Sequence, residues 1–422
     1  MSNLTSLRGL LIAQFFGAFN DNAWKLMVAL LAVKQLASQM GTGPEYELAA
    51  QVQTTITFVV FTLPMVVVSI FAGVFSDRFS KRLVIVVTKA LEVALMGLGM
   101  TALFLNPEGG LLPLIVLAAM AVQSALFSPA KYGILPELLP HEQLSVGNGK
   151  LELWTFLAII GGTAMGGVFL QASGSSPWLA GVVLLLFSIV GFVSSLSIPS
   201  VPRARARGGL RDTLQGAWDA VRISRILRLG ILGNIAYWTI ASLVGQDILV
   251  YAKVVLQLSD SLSGLPLATF GIGVGIGSVL AGKLSHSKVE VGHIPLGAIG
   301  LIFGLFALGM LSPALPGTLI GMAWLGLSSG FIVVPINALI QWRAPKDRRG
   351  AVIAFSNIFV FVGVLAGSLA TGVLAFIGLS SSAIIFFAGV LAAILTFWST
   401  KIMPEAFIRM VLFLMTHTLY RI

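Results

Sequence analysis

Two oppositely charged side chains near the start of the sequence are the first residues that could bind a charged ligand. Asp21 and Lys25 stand four positions apart inside an apolar run, which places both on one face of a helix. Charges in apolar surroundings are costly, so they usually face a cavity and find a partner. The spacing lets the two side chains pair along this face, and we predict that they take a direct part in recognition: Lys25 could bind an anionic group, and Asp21 an ammonium, a proton or Na⁺. A pair that only orients its own helix is the alternative.

Other polar side chains inside apolar runs are candidates for the same binding site. Gln14 lies on the same helical face as Asp21, and Asn20 and Asn22 flank it. The further candidates, taken from later runs, are Asn148, Glu152, Trp154, Trp238, Gln246, Asp247, Tyr251, Asn337, Gln341 and Asn357. Lys89 and Glu92, three positions apart, are interpreted as a structural pair that satisfies itself.

The composition requires these residues to lie in a membrane protein. Hydrophobic residues make up 57% of the chain and charged residues 10%, whereas a soluble domain is roughly a quarter charged. The chain has no Cys and four scattered His, so we predict no metal site and no cofactor beyond a coupling Na⁺ or H⁺. No phosphate-binding G-x-x-x-x-G-K-[ST] loop or catalytic set occurs, so we predict no enzyme. The alternating glycines at 271–277 are interpreted as close helix packing.

Twelve apolar runs are long enough to cross a bilayer, which takes about 20 residues. We therefore predict an all-α polytopic membrane protein with twelve transmembrane helices. The runs lie near 9–36, 52–75, 83–105, 111–129, 148–171, 177–198, 229–255, 264–283, 293–312, 315–340, 351–377 and 381–403. The predicted domains are a six-helix half at 1–198, a basic linker at 199–228, a second six-helix half at 229–403 and an interfacial tail at 404–422.

The distribution of basic residues predicts the orientation. The linker alone carries Arg203, Arg205, Arg207, Arg211, Arg222, Arg225 and Arg228, and alternate loops share this basic character. Lys and Arg accumulate in cytoplasmic loops, so we expect the linker and both termini to face the cytoplasm. This also accounts for the net charge of +10 without a nucleic-acid partner.

The two predicted halves carry matching small-residue motifs. The fifth run contains Gly162-x-x-x-Gly166 and the eleventh contains Gly363-x-x-x-Gly367. Small residues at this spacing allow helices to pack closely in lipid. Their matching positions predict an internal repeat of six helices.

The loop after the second run carries a superfamily motif. It reads Gly73-Val-Phe-Ser-Asp77-Arg78-Phe-Ser-Lys81-Arg82 and resembles the G-x-x-x-D-R-x-x-K/R-R/K loop of the major facilitator superfamily. The resemblance implies the major facilitator fold of two six-helix halves. It also implies that these five residues act in gating rather than in substrate binding.

Three further stretches narrow the resemblance. They are Ala13–Asn22, the segment Phe127-Ser-Pro-Ala-Lys131-Tyr-Gly-Ile-Leu-Pro-Glu137 and Val333–Gln341. Together they resemble the bacterial lysophospholipid transporter family. This implies movement of lysophosphatidylethanolamine and lysophosphatidylglycerol from the outer to the inner leaflet of the bacterial inner membrane. A cytoplasmic acyltransferase, or acyl-ACP synthetase, would then restore the second acyl chain. Lys131 and Glu137 would belong to the inner gate.

The tail after Met403 resembles the lead-in to an acyltransferase domain in proteins that fuse this transporter to the reacylating enzyme. We therefore interpret residues 404–422 as an interfacial helix and as the possible start of such a domain. Two alternative functions stay open: a proton-coupled drug or metabolite exporter of the same fold, and a transport-inactive membrane anchor of a fused acyltransferase.

Overall fold

A computed structural model of the protein describes residues 7–40, 44–202, 210–258, 262–285 and 289–418. The described chain is almost wholly helical, and no strand occurs within these ranges. Arg203, Arg205 and Arg207 of the predicted linker and the last four residues of the tail lie outside the described residues.

Six long helices precede the linker and six follow it. The first six are α1 (Arg8–Met40), α2 (Pro44–Arg78), α3 (Lys81–Leu105), α4 (Leu111–Leu138), α5 (Leu144–Ala172) and α6 (Trp178–Leu196). A short amphipathic helix, α7 (Leu210–Ile223), lies in the linker. The remaining helices are α8 (Arg225–Val254), α9 (Leu265–Leu284), α10 (His293–Leu311), α11 (Leu315–Arg343), α12 (Arg349–Phe376), α13 (Ser381–Ile402) and the short tail helix α14 (Pro404–Thr418).

The apolar runs account for these helices, and local signals set some of their ends. Ser224 precedes α8 and accepts a hydrogen bond from the Leu227 amide at 3.3 Å, which satisfies a donor that the first turn leaves free. Ser380 does the same for the Ala383 amide at the start of α13. The twelve long helices correspond to the twelve predicted runs, and several extend beyond them.

Ten of the described helices are individually long and apolar enough to cross a membrane. Helix α2 supplies an eleventh span if its two parts, which meet at a bend of 50° after Ser69, count as one. Helix α1 is as long as the others but more polar, because it carries Gln14, Asn20, Asp21 and Lys25. The polar residues that make α1 a candidate binding element are thus the ones that weaken its signal as a span.

The chain forms two compact units, and each is described by itself. Unit 1 comprises Met1–Leu138, Leu157–Ala217 and Lys346–Phe355. Unit 2 comprises Leu139–Phe156, Trp218–Pro345 and Ser356–Ile422. The start of α12 therefore packs with helices α1–α6, and the start of α5 packs with the later helices.

Each unit has an apolar core. In unit 1, Trp24, Met27, Met96, Leu117 and Leu184 are among the buried residues that pack together. In unit 2 a smaller cluster joins Ala281 of α9 to Phe331 and Val334 of α11.

The matching glycine motifs make matching contacts. A Cβ at Gly162 of α5 would collide with the backbone of Phe19, and one at Gly166 would lie 2.8 Å from the Ala23 carbonyl. At Gly363 of α12 a Cβ would lie 2.8 Å from the Ile235 carbonyl of α8. Helix α5 thus packs on α1 as α12 packs on α8, which supports the predicted repeat.

The alternating glycines of α9 also act as predicted. A Cβ at Gly273 would collide with the Ala323 carbonyl, and one at Gly277 would collide with the Leu327 carbonyl. Small residues therefore allow α9 and α11 to approach closely. This close contact positions the polar face of α11.

Candidate functional site

A buried ion pair in unit 1 contacts the polar segment of α1. The ammonium of Lys89 lies 2.6 Å from the Glu92 carboxylate, and both side chains are only 1% exposed. The Asn20 amide donates to the same carboxylate at 3.2 Å and to the Leu184 carbonyl at 3.1 Å. The pair predicted from the i,i+3 spacing is confirmed, but it is not isolated: it holds the α1 residue next to Asp21.

Small and aromatic residues accommodate this pair. A Cβ at Gly17 would collide with the Lys89 ammonium, so glycine leaves room for the charge. The same ammonium lies 5.1 Å from the centre of the Phe127 ring, a favourable cation–π distance. Gln123 donates to the Thr88 carbonyl at 3.1 Å and Gln14 is buried on α1. Lys89, Glu92 and Gln123 are thus each held by a partner, as apolar surroundings require.

Asp21 and Lys25 do not form the pair that their spacing allows. Asp21 accepts a hydrogen bond from the Ser124 hydroxyl at 2.5 Å. The Lys25 ammonium donates to the Asn22 side chain at 3.1 Å. The reason is geometric. Helix α4 offers Asp21 a hydrogen-bond donor, and helix α2 offers Lys25 two aromatic rings.

Those rings belong to Phe58 and Phe61, whose centres lie 5.2 and 5.0 Å from the Lys25 ammonium. An ammonium has three N–H donors, and its contacts within the described residues use one of them, toward Asn22. As an ammonium, Lys25 therefore retains hydrogen-bonding capacity for an incoming anion.

A second polar cluster lies in unit 2, between the start of α5 and the end of α11. The side-chain amides of Asn148 and Gln341 exchange two hydrogen bonds of 2.8 Å. Asn337 donates to the Glu152 carboxylate at 3.3 Å. Asn148 and Glu152 stand four residues apart on α5, and Asn337 and Gln341 stand four residues apart on the antiparallel helix α11. We call these four residues the polar ladder. The structure thus brings together four of the predicted binding residues.

Close packing on α9 fixes the start of α5 beside this ladder. A Cβ at Gly149 would collide with the Ser278 carbonyl, and one at Gly282 would lie 2.9 Å from the Ser145 carbonyl. Glycines on both helices thus let the backbones touch.

The remaining predicted binding residues lie outside the ladder. Asp247 accepts a hydrogen bond from Ser381 at 2.6 Å, and the buried Tyr251 hydroxyl points to the Pro313 carbonyl at 3.5 Å. Gln246 donates to Ser368 at 2.6 Å. The other three are Trp154, which is 38% exposed, Trp238, whose ring packs edge-on against Tyr237, and the half-buried Asn357. These contacts place Gln246, Asp247 and Tyr251 beside α12, α13 and the segment before α11.

Asp77, a predicted gating residue, binds the start of α12. Its two carboxylate oxygens accept hydrogen bonds from the backbone amides of Gly350 and Ala351, each at 2.7 Å. Amides in the first turn of a helix have no partner within the helix and carry partial positive charge. Gly73 makes the approach possible, because a Cβ there would lie 2.9 Å from the Ala351 Cα. We call these Asp77 contacts the gate cap.

The basic residues of the same motif have separate partners. Lys81, fully buried, lies 2.5 Å from the Glu137 carboxylate of α4. Arg82 donates to the carbonyls of Ile198 at 2.7 Å and Leu196 at 3.0 Å, after and at the end of α6. Arg78 is exposed. The motif therefore joins α2, α3, α4 and α6 at one end of unit 1.

Two other residues complete this end. Lys131 lies over the Tyr132 ring at 4.5 Å and the Phe127 ring at 5.9 Å. Arg349, the first residue of α12, is 6% exposed and interacts electrostatically with Glu137 and Asp77. The sequence reasoning did not single out Arg349. Its signal in the sequence is only its place in the basic segment Lys346–Arg349 that leads into α12.

The long apolar helices bury paired charges, and a charged motif lies at the ends of several of them. These features are those of a multi-pass membrane transporter. The sequence profile of the Major Facilitator Superfamily matches residues 10–368. The chain belongs to this superfamily.

Similar proteins narrow the comparison. The chain is 29% identical over 359 residues to the lysophospholipid transporter LplT of Yersinia enterocolitica serotype O:8 / biotype 1B (strain NCTC 13174 / 8081), with 82% of each chain covered. It is 29% identical over 361 residues to the transporter of the same name from Yersinia pestis (strain Pestoides F), which covers 84% of this chain and 82% of the relative.

Solved structures share the fold. The human organic anion transporter MFSD10 (TETRAN) aligns with a TM-score of 0.76 at 15% identity, covering 93% of this chain and 99% of that chain. A bacterial homologue of the iron transporter ferroportin, in an outward-facing state, aligns with a TM-score of 0.63 at 17% identity, covering 91% of this chain and 98% of that chain. At these identities the likeness establishes the fold alone.

Proposed function

We propose that this protein is a secondary transporter that flips lysophospholipids, including lysophosphatidylethanolamine and lysophosphatidylglycerol, from the outer to the inner leaflet of the bacterial inner membrane. The observation that carries the proposal is the buried polar segment of α1. There, Asp21 and Lys25 face different partners within an apolar bundle. The similarity to lysophospholipid transporters over about four-fifths of the chain supports the choice of substrate.

The chemistry of the head group fits separated charges. A lysophosphatidylethanolamine head group carries a phosphate and an ammonium a few ångströms apart. Lys25 keeps donor capacity for the phosphate, and Asp21 offers a carboxylate for the ammonium. Because the two residues do not bind each other, neither charge has to be released before the head group binds. Coupling to Na⁺ or H⁺ at Asp21 is a second role for the same carboxylate.

The gate cap supplies a contact that can open and close. Helix starts and carboxylates bind through a few hydrogen bonds, without interlocking side chains, so the contact can re-form in each cycle. We propose that Gly73, Asp77, Arg78, Lys81, Arg82, Lys131 and Glu137 act at this end as a gate, together with Arg349. The substrate sites stay elsewhere, on α1 and in the polar ladder.

The orientation and partner follow from the same proposal. Basic residues concentrate in the linker and in alternate loops, so the linker, the gate and both termini would face the cytoplasm. The product would then reach the inner leaflet, where a cytoplasmic or fused acyltransferase, or an acyl-ACP synthetase, could add a second acyl chain. Inward movement of a lipid that has lost one chain gives such an enzyme its substrate.

Reconstitution tests the proposal. The protein is placed in vesicles, and labelled lysophosphatidylethanolamine is followed between the leaflets for the wild type, Asp21→Ala and Asp219→Ala. Asp219 lies exposed on α7, so it controls for loss of a carboxylate elsewhere. We expect flipping by the wild type and Asp219→Ala and at least a tenfold loss with Asp21→Ala.

Two results would count against the proposal in different ways. Absence of flipping by the wild type, with the protein folded, would overturn the proposed function. Unchanged flipping by Asp21→Ala would leave the function and remove Asp21 from substrate binding. Movement of unrelated solutes down a proton gradient without lysophospholipid flipping would instead favour an exporter.

A further inference from the structure

An apolar recess lies within unit 2, between α8, α9, α10 and α11. Its walls include Leu267 and Phe270 of α9, Leu301 of α10 and Met322 of α11. It contains about 410 Å³ of atom-free space, part of which is open to the outside. Its lining holds none of the predicted substrate-binding residues.

The two ends of the recess differ in chemistry. Leu267 lies near the start of α9, and the end that it lines is apolar. The other end holds the hydroxyls of Tyr237 and Ser329, which lie next to each other. Ser329 donates its own proton to the Leu325 carbonyl at 2.8 Å, and the Tyr237 hydroxyl is buried without a well-formed hydrogen bond among the described residues.

The hydroxyl end and the polar ladder share helix α11. Ser329 lies eight residues, or about 12 Å, before Asn337 on this helix, and Asn337 donates to Glu152. Polar groups therefore lie along α11 from the ladder to the hydroxyl end of the recess. An amphiphile with a polar head and a single narrow tail matches this sequence of surfaces.

Gly245 of α8 shows that the space is unfilled. It lines the recess, and a Cβ built there meets no atom within 4 Å. Glycines elsewhere in the same unit, such as Gly273 and Gly326 at the contact of α9 and α11, would collide with backbone. Close helix packing thus accounts for those glycines, whereas Gly245 leaves open volume.

We propose that this recess binds the acyl chain of the lysophospholipid, with the glycerol hydroxyl or ester of the substrate at Tyr237 and Ser329. The inference rests on the proposed function and adds a site for the tail to the sites for the head group. The recess keeps the methylene chain out of water while the head group crosses the bilayer, and the buried Tyr237 hydroxyl can donate to an oxygen of the substrate. The recess offers a place for one tail, so a single-chain lipid is its expected ligand.

The site can be tested by cross-linking. Lysophosphatidylethanolamine with a photoreactive diazirine near the end of its acyl chain is added to the protein in vesicles, and adducts are mapped by mass spectrometry. We expect adducts on Leu267, Phe270 or Met322. We also expect Gly245→Leu to reduce them at least fivefold, because the leucine side chain occupies the recess, and Gly245→Ala to reduce them less.

Gly372→Leu is the matched control. Gly372 lies in α12, and its Cβ would also meet open space, so the substitution changes a helical glycine identically but away from the recess. Adducts in Gly372→Leu should equal those of the wild type. Thermal unfolding of each variant in detergent verifies that a loss of adducts reflects the filled recess and not misfolding.

The outcomes separate this inference from the proposed function. Adducts that are confined to lipid-facing residues such as Phe376, or that persist fully in a folded Gly245→Leu variant, overturn the recess as the acyl-chain site. Flipping is measured in the same vesicles. Recess adducts without wild-type flipping retain the binding site and overturn transport, and flipping without recess adducts does the reverse.

Discussion

The carboxylate of Asp77 accepts a hydrogen bond from the backbone amide of Gly350, 273 positions later in the sequence. A second bond, from Ala351, completes the cap. A motif predicted to act in gating therefore binds a helix start that lies in the other half of the sequence. The start of α12 thereby becomes part of unit 1, and the polar ladder ties the start of α5 into unit 2 in a comparable way.

Removing the charge of Asp77 should weaken the gate cap. In Asp77→Asn only one side-chain oxygen remains as an acceptor, and hydrogen bonds to charged groups contribute about 1.5–3 kcal/mol. We expect the start of α12 to become about tenfold or more accessible. The chain contains no native Cys, so thiol labelling of a cysteine placed at the buried Ala354 measures this directly.

Asp347→Asn is the control for that measurement. Its side chain is 57% exposed in the segment just before α12 and lies 3.6 Å from the Arg348 guanidinium, so we expect no change in labelling. Equal labelling of the Asp77 and Asp347 variants would show that the cap does not hold α12.

The Lys89–Glu92 pair should show strong coupling. Lys89→Met or Glu92→Leu alone leaves one buried charge without its partner, at a cost of about 3–5 kcal/mol. The double variant removes both charges and should recover most of the thermal stability. We expect flipping to stay low in the double variant, because Asn20 loses its carboxylate acceptor beside Asp21. A stable double variant that flips normally would restrict the pair to a structural role.

The two glycine motifs should respond alike to larger side chains. Gly162→Leu forces a side chain against Phe19, and Gly363→Leu forces one against Ile235 and Thr239. Overpacking of this kind costs about 1–3 kcal/mol, and occasionally more. We expect a lower Tm for both in detergent. Gly97→Leu provides the comparison, since a Cβ at Gly97 meets open space, and a similar loss there would argue against helix contact as the cause.

The polar ladder should behave as a coupled pair. Gln341→Leu leaves the buried Asn148 amide without its reciprocal partner, and an unsatisfied buried group costs about 1–3 kcal/mol. In a double-mutant cycle, Asn148→Leu and Gln341→Leu together should cost less than the sum of the two single changes. Thermal unfolding of the four proteins measures the coupling, and strictly additive losses would mean that the amide pair contributes no coupling of its own.

Most of the architecture is predictable from the sequence, because the bilayer imposes a simple rule. A span must be apolar over about 20 residues, and its backbone must be hydrogen-bonded within the helix. The twelve runs therefore correspond to twelve long helices. Close helix contacts also have local signals in the sequence. These are the motif at Gly73–Arg82 and the small-residue motifs that begin at Gly162 and Gly363.

The site is only partly predictable, because the partner of a side chain often lies on another helix, distant in the sequence. Spacing placed Asp21 and Lys25 on one face of α1, yet Ser124 of α4 binds Asp21, and the rings of α2 surround Lys25. Asn148 and Gln341 were each candidates from their own helix, and only the antiparallel packing of α5 against α11 made them a pair.

The sequence by itself determined the class of protein, the helices and the polar residues that an apolar bundle must satisfy. Composition and periodicity are properties of one segment at a time, and they suffice for those conclusions. The tertiary structure alone decided that the ion pair at Lys89 and Glu92 holds Asn20, that Asp77 caps α12, and that Gly245 borders open space. Each of these facts depends on the distance between atoms of different helices, which no single segment encodes.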